Sequence, residues 1–158
     1  MKKEKISDYT LRISQSNRSQ LVVVVFDMTM EYLEEATLCY DKGDLEDFVQ
    51  ITKKARACVY ELMTSLDTKY KIAVELMQIY IYMNKLLIQS VIKKEPQDFP
   101  AIKRMVRTLR GAFEEIAKQD SSAPLMGNAQ QVYAGLTYGK GTLSESFSSQ
   151  DINRGFCV

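Results

Sequence analysis

The side chains that could take part in chemistry are spread along this 158-residue chain, and its paired carboxylates come first. Glu34 adjoins Glu35, and Glu114 adjoins Glu115. Adjacent residues of a helix point about 100° apart, so neither pair converges as a catalytic acid and base would. The chain also has no histidine, the commonest general base and a frequent metal ligand. We therefore predict no enzymatic activity, no catalytic residue, no metal site and no cofactor.

Thiols and glycines give equally little sign of a reaction. The three cysteines, Cys39, Cys58 and Cys157, are odd in number and widely spaced, which favours reduced thiols over a disulfide framework. The segment GLTYGKGT at 135–142 lacks the glycine spacing of a phosphate-binding loop, and no Ser or Thr directly follows its lysine. We interpret this segment as a glycine-rich turn.

A basic cluster is the remaining candidate. Lys103, Arg104, Arg107 and Arg110 crowd one side of a predicted helix, but no aromatic residues alternate with them to stack on bases. With 21 basic and 20 acidic residues the net charge is +1, which gives no field toward nucleic acid or a membrane. We expect a solvated face and no nucleic-acid binding. A dimeric helical adaptor or regulator that uses this face is the alternative function, with a small helical enzyme as a third.

The elements that carry these residues are predicted to be helices. Residues 19–40 include four consecutive valines, yet their apolar positions recur every three or four residues, which is typical of a helix. Asn17 and Gln20 resemble a capping box, and Gly43 followed by Asp44 predicts the end of this helix and the start of the next. Three further helices are predicted in the same way, over 44–66, 70–93 and 98–116.

Four amphipathic helices with short connections predict an all-α fold, an antiparallel four-helix bundle over residues 17–120. A flexible N-terminal arm is expected at 1–16, and a partly disordered or loosely packed extension at 121–158, where glycine and serine are frequent. The basic start has no apolar signal region, and no run of about 18 apolar residues could span a bilayer. We expect a cytoplasmic protein without membrane insertion.

The third predicted helix is apolar on two sides. One stripe has the spacing of a bundle core: Ile72, Leu76, Ile79, Met83, Leu86 and Ser90. A second stripe lies on the far side: Val74, Met77, Ile81, Ile88 and Ile92. A soluble monomer rarely leaves such a surface in water. It could be covered by the chain's own helices, by a second copy in a homodimer, or by an amphipathic segment of another protein. The free protein could then be a monomer or a homodimer.

Several motifs in the first 120 residues resemble the FliS family of flagellin-specific export chaperones. Residues 13–36, ISQSNRSQLVVVVFDMTMEYLEEA, are similar to the family pattern leading into its first helix, with matches at Ile13, Leu21, Asp27 and Leu33. The family's further pieces correspond to GDLEDF at 43–48, LMTSLD at 62–67 and IAVELMQIYIYM at 72–83. The order and spacing agree, although Asn17 and Arg18 stand where the family usually has Ser-Pro.

The resemblance implies a chaperone that binds the disordered, potentially helical C-terminal region of flagellin. Such a protein prevents premature polymerisation and presents its client for flagellar type III export. Contact of the C-terminal extension with an export-gate subunit or an anti-sigma factor is left open. The sequence does not identify which flagellin is the client.

The resemblance also implies where the client groove lies. The positions that match family motifs are Leu66, Ile72, Leu76, Ile79, Tyr80 and Met83. The second stripe of the third helix adds Met77, Ile81 and Ile88. The family's behaviour further suggests that the arm, around Tyr9, Leu11 and Ile13, folds over the empty groove. If so, deleting residues 1–16 should tighten flagellin binding.

Overall fold

Residues 3–127 are described by a computed structural model, in which this part of the chain forms five helices and no strand. The helices are α1 Lys3–Gln15, α2 Arg18–Asp41, α3 Leu45–Thr64, α4 Lys71–Lys93 and α5 Phe99–Gln119. The predicted all-α class is confirmed for these residues, and the four predicted helices correspond to α2, α3, α4 and α5. None of the described helices is long and apolar enough to cross a membrane.

Helix α1 replaces the flexible arm that the sequence predicted, so that prediction was wrong. A helix of 13 residues is marginal on its own in water, and α1 is stabilised by lying along α2. Tyr9 and Ser14 are buried there, and Lys5 forms an ion pair with Glu31. The arm was mispredicted because its order depends on these tertiary contacts more than on its own apolar pattern.

Helix α2 contains the four valines, as predicted. The Oδ1 of Asn17 accepts a hydrogen bond from the backbone amide of Gln20 at 2.9 Å. The Oε1 of Gln20 accepts one from the backbone amide of Asn17 at 3.0 Å, and the two bonds form a capping box. Within the helix Val23 and Val24 are buried and Val22 and Val25 half-buried, so the burial of apolar surface outweighs the β-propensity of valine.

The connection from α2 to α3 also follows the prediction. Gly43 adopts φ +77°, a left-handed conformation that favours glycine, and the side chain of Asp44 accepts a hydrogen bond from the backbone amide of Asp47 at 3.0 Å as the N-cap of α3.

Asp98 occupies the N-cap position of α5, but its side chain makes no capping hydrogen bond. The first turn of α5 contains Pro100, whose fixed φ suits a helix start.

Aromatic rings join the helices in the core. Helix α2 packs against α3 and α5, and α3 packs against α4, while α4 and α5 touch over a shorter stretch. The Phe26 ring lies 6.3 Å from that of Tyr80 and 5.8 Å from that of Phe113. These tilted contacts bring α2, α4 and α5 together around one buried side chain.

The core line of α4 differs from the predicted one. Ile72 was placed on it but is 62% exposed, whereas Tyr80 and Leu87, expected on a flank, are fully buried. Met83, Leu86 and Ser90 are buried, and the centre of the buried face is therefore turned by about 40° toward Tyr80. An apolar arc this wide leaves the direction of the core undetermined, and only the neighbouring helices decide it.

After α5 the chain returns to the start of α2. The backbone amide of Leu125 donates to the Ser16 carbonyl at 3.1 Å, so the first residues of the predicted extension lie against the rest of the chain. The predictions for 128–158, including the glycine turn, the disorder and Cys157, fall outside the described residues.

Candidate functional site

The main candidate surface is the second apolar stripe of the predicted third helix, which we call the α4 outer face: Val74, Met77, Ile81, Ile88 and Ile92. Val74, Ile81 and Ile92 are exposed, and Met77 and Ile88 are half-buried. The described part of the chain therefore leaves much of this stripe uncovered. Contiguous apolar surface of this kind typically marks an interaction site.

Polar and aromatic side chains border the α4 outer face toward α3. The Nε of Arg56 donates to the Oδ1 of Asn84 at 2.9 Å, which links α3 to α4 at this border. Tyr60 lies one helical turn after Arg56 on α3 and is exposed. Tyr70, just before α4, is exposed as well. Because Tyr60 shares a face of α3 with Arg56, this border offers an amphipathic ring and one fixed amide beside the aliphatic strip.

The residues predicted from the family resemblance are divided between core and surface. Tyr80 and Met83 are fully buried, so they support α4 from beneath and add nothing to its outward surface in this conformation. Leu66 and Leu76 are half-buried against the core. Ile79 is half-buried and Ile72 exposed. Met77, Ile81 and Ile88 were selected because they belong to the second apolar stripe, and these three share one face of α4.

A second feature is an apolar cavity of about 660 Å³ on the other side of α2 from α1. Its aliphatic and aromatic lining comes from four helices, from the connection between α3 and α4 and from the segment after α5: Leu21, Val22, Val25, Leu62, Leu66, Tyr80, Phe113 and Leu125. Arg18, Glu61 and Asp67 also contribute to its wall. Val22 and Val25 are only half-buried because they face this cavity.

The arm residues lie elsewhere than predicted. Tyr9 is buried and Leu11 and Ile13 are half-buried, but within residues 3–127 the helix that carries them packs on α2 and does not approach α4. A shallower cavity of about 470 Å³ separates parts of α1, α2 and α5. In this conformation α1 leaves the α4 outer face open.

Asp27 joins three helices through charge-assisted hydrogen bonds. The Nη2 of Arg12 donates to its Oδ2 at 2.6 Å, and the Nε of Arg110 donates to its Oδ1 at 2.5 Å. Arg110 also donates to Glu114 at 2.9 Å. The hydrogen bond from Arg110 to Asp27 raises the pKa of the Arg110 guanidinium. One member of the predicted basic face is therefore engaged within the chain, which weakens the case for that face as a binding surface.

Sequence reasoning missed the role of Asp27, although it had noted the residue as a match to the family pattern. The available signal was that Asp27 is the one acidic residue in the apolar stretch at 21–30. Its two partners come from sequence positions 15 residues before and 83 residues after it. No local pattern relates residues at such separations.

The thiols and the buried phenol behave as core groups. Burial raises the pKa of the Cys58 thiol to about 11 and that of Tyr80 to about 12. Cys39 and Cys58 form no disulfide, in keeping with the prediction of reduced thiols for these two. A nucleophilic cysteine needs a lowered pKa, so neither environment activates its thiol.

The described residues form only helices, one of which presents an uncovered apolar face, and these are the features of a helical binding protein. The family model described as flagellar protein FliS matches residues 4–120. The chain therefore belongs to the FliS family of flagellar chaperones, as its motifs had predicted. No curated protein matches the chain in the comparison. The family match ends at Asp120, where the segment that returns to α2 begins.

Proposed function

We propose that this protein is a cytoplasmic chaperone that binds the C-terminal region of flagellin, prevents its premature polymerisation and aids its export through the flagellar type III system. Membership of the FliS family supports a flagellar chaperone role. The observation that carries the proposal is the uncovered α4 outer face. An antiparallel four-helix bundle of α2, α3, α4 and α5 would form its scaffold.

The dimensions of the face suit an amphipathic client. From Val74 to Ile92 the helix rises about 27 Å, enough for about five turns of a bound helix. The client's apolar stripe would cover Met77, Ile81 and Ile88, and the rings of Tyr60 and Tyr70 would contact its edges. A disordered client that becomes helical in the groove loses conformational entropy, and this cost lowers its affinity. The client can therefore still be released for export.

The other predicted partner residues take different parts in this proposal. Ile72 and Ile79 would contact the client at the N-terminal end of α4. Tyr80 and Met83 would fix the position of the helix from the core, and Leu66 and Leu76 would support its first turns. A contact with the export gate or an anti-sigma factor, and a homodimer of the free protein, stay open.

The test is calorimetry of the full-length protein against a peptide of a cognate flagellin's C-terminal region. We expect saturable one-to-one binding with a negative heat-capacity change, because apolar surface is buried. Ile81→Glu and Ile88→Glu should each weaken binding by about 2 kcal/mol or more, the cost of truncating or charging a central contact.

Ile116→Glu on α5 is the matched control, because Ile116 is 52% exposed and Ile81 is 50% exposed. It should bind the peptide like the wild type. All variants should keep the helical circular-dichroism spectrum of the wild type. Equal weakening by Ile116→Glu, or no effect of Ile81→Glu, would place the client somewhere other than the α4 outer face.

A further inference from the structure

The segment at 120–125 crosses the N-terminal end of α2 and is held there by side chains of that helix and its cap. We call this segment the strap. Ser19 donates from Oγ to the Oδ2 of Asp120 at 2.6 Å, and Asn17 donates from Nδ2 to the Asp120 carbonyl at 3.0 Å. The strap's last residue, Leu125, donates its amide to Ser16 at 3.1 Å. Two hydrogen bonds to Asp120 and one from Leu125 thus fix both ends of the strap.

The strap ends at the apolar cavity. Leu125 lines that cavity, yet the residue is 60% exposed, so its side chain stands at the mouth and leaves the interior unfilled. Met126 follows directly, is also exposed and does not line the cavity. A single leucine therefore stands at the mouth of a cavity of about 660 Å³ whose walls include Val22, Val25 and Phe113.

Asn17 serves two structures at once. Its Oδ1 caps α2 by accepting the Gln20 amide, and its Nδ2 donates to the carbonyls of Asp120 and, at 3.4 Å, Ser122. Asn17 is almost fully buried, so both sides of the amide depend on protein partners. A serine here could still cap α2 but could not donate to the strap in the same way, because its hydroxyl has one proton.

The strap also has its own internal bonds. Asp120 accepts from the Ser122 amide at 3.0 Å and from the Ser122 hydroxyl at 2.6 Å. These bonds, with that from Ser19, lower the pKa of the Asp120 carboxyl to about 2. The turn at the start of the strap is thus preformed, and attachment needs to order only the few residues that follow it.

We propose that the strap is a detachable lid that keeps Leu125 in the mouth of the apolar cavity, and that Asn17 is the residue that holds it there. When the strap detaches, the mouth of the cavity is left open. In the free protein its occupant is the chain's own Leu125. The proposal does not depend on the α4 outer face, since none of the five residues that define this face lines the cavity.

The first experiment measures the fluorescence of anilinonaphthalene sulfonate, an apolar probe, with the full-length protein. Asn17→Ser should keep the cap and release the strap, and Leu125→Ser should remove the lid residue itself. Both should raise the probe fluorescence above that of the wild type. Met126→Ser is the matched control and should give the wild-type signal, because any probe on the α4 outer face contributes equally to all of these proteins.

The second experiment measures hydrogen exchange at the Leu125 amide. Asn17→Ser should speed this exchange about fivefold, the effect of losing roughly one net hydrogen bond. Exchange within α2 should change far less, because its cap is retained. Ser19→Ala, which removes only the bond to Asp120, offers a second route to the same release if Asn17→Ser impairs folding.

The outcomes separate clearly. Higher probe fluorescence with faster Leu125 exchange supports the lid. An unprotected Leu125 amide in the wild type, or the same rise of fluorescence in Met126→Ser, overturns it. Failure of flagellin binding would leave these results unchanged, so the lid and the proposed chaperone function stand or fall separately.

Discussion

At the scale of single residues, two polar side chains, one buried and one half-buried, hold distant parts of the chain together. Asn17 joins the start of α2 to the strap, and Asp27 joins α2 to α1 and α5. In both cases one short side chain satisfies partners from separate elements. Polar side chains of this kind stabilise a fold when all their hydrogen bonds are formed. Removing one partner lowers the free energy of unfolding, because the other partner loses its hydrogen bond.

Replacing Asp27 should therefore lower the stability. We expect Asp27→Asn to reduce the free energy of unfolding by about 1–2 kcal/mol, because both guanidinium partners lose their charge-assisted bonds while remaining partly solvated. Urea denaturation followed by circular dichroism measures this. Glu115→Gln is the control, since its pair with Lys118 is well exposed and should contribute less than about 0.5 kcal/mol. Equal effects of the two substitutions would refute the special role of Asp27.

The buried thiol of Cys58 predicts a dependence of stability on alkaline pH. Its pKa rises from 9.0 to about 11 on folding, so the folded state keeps a proton that the unfolded state loses. This stabilising contribution is complete below pH 9 and is lost as the pH rises toward 11. The difference in unfolding free energy between wild type and Cys58→Ala should therefore shift by about 2 kcal/mol over that interval. A constant difference would show that the thiol ionises freely in the folded state.

At the scale of elements, the sequence predicts the helices well and their orientation less well. The capping box at Asn17 and the left-handed Gly43 are local signals, and both mark true helix boundaries. The direction in which α4 turns its core is not local, because that helix is apolar around most of its circumference. Ile72 and Tyr80 exchanged their predicted environments for this reason.

The order of α1 and of the strap likewise depends on tertiary contacts and not on local sequence signals. Helix α1 depends on Asp27 and Glu31 of α2, and the strap depends on Asn17 and Ser19. Each contact needs α2 to be folded already. Helical spacing alone identified the second apolar stripe of α4, but the neighbouring helices decide that much of it faces outward, and its use as a client groove stays a prediction.

Helix α1 should be the least protected helix of the described chain. It contacts only α2, and a helix of its length has little stability by itself. Hydrogen exchange at its amides should be faster than in α2, and Arg12→Ala should speed it further by breaking the bond to Asp27. Lys118→Ala, which breaks an exposed pair on α5, should leave α1 unchanged. Protection in α1 equal to that in α2 would contradict this expectation.

At the scale of the whole molecule, the near balance of charge directs partner choice to apolar surface. The net charge of +1 provides no long-range attraction, and Arg110 of the basic cluster is paired within the chain. Binding through the α4 outer face should then respond weakly to salt, because screening acts on charges and hardly on apolar contacts.

We expect the dissociation constant for the flagellin peptide to change less than about threefold between low salt and about 0.5 M sodium chloride. Calorimetry in the two buffers measures this directly. A steep loss of affinity at high salt would favour the alternative, a partner bound by the basic face of α5. The Arg107→Ala variant would then lose binding, whereas we expect it to bind like the wild type.

The strap has a consequence for the order of events during synthesis. Asn17 and its acceptors on Asp120 and Ser122 are separated by 103 and 105 positions, so nearly all of the described chain must leave the ribosome before they can meet. Until then the growing chain has α2, α3 and α4 available but no Leu125 to close the mouth of their cavity. A newly emerging copy is therefore open, and closure marks the end of translation of this part of the chain.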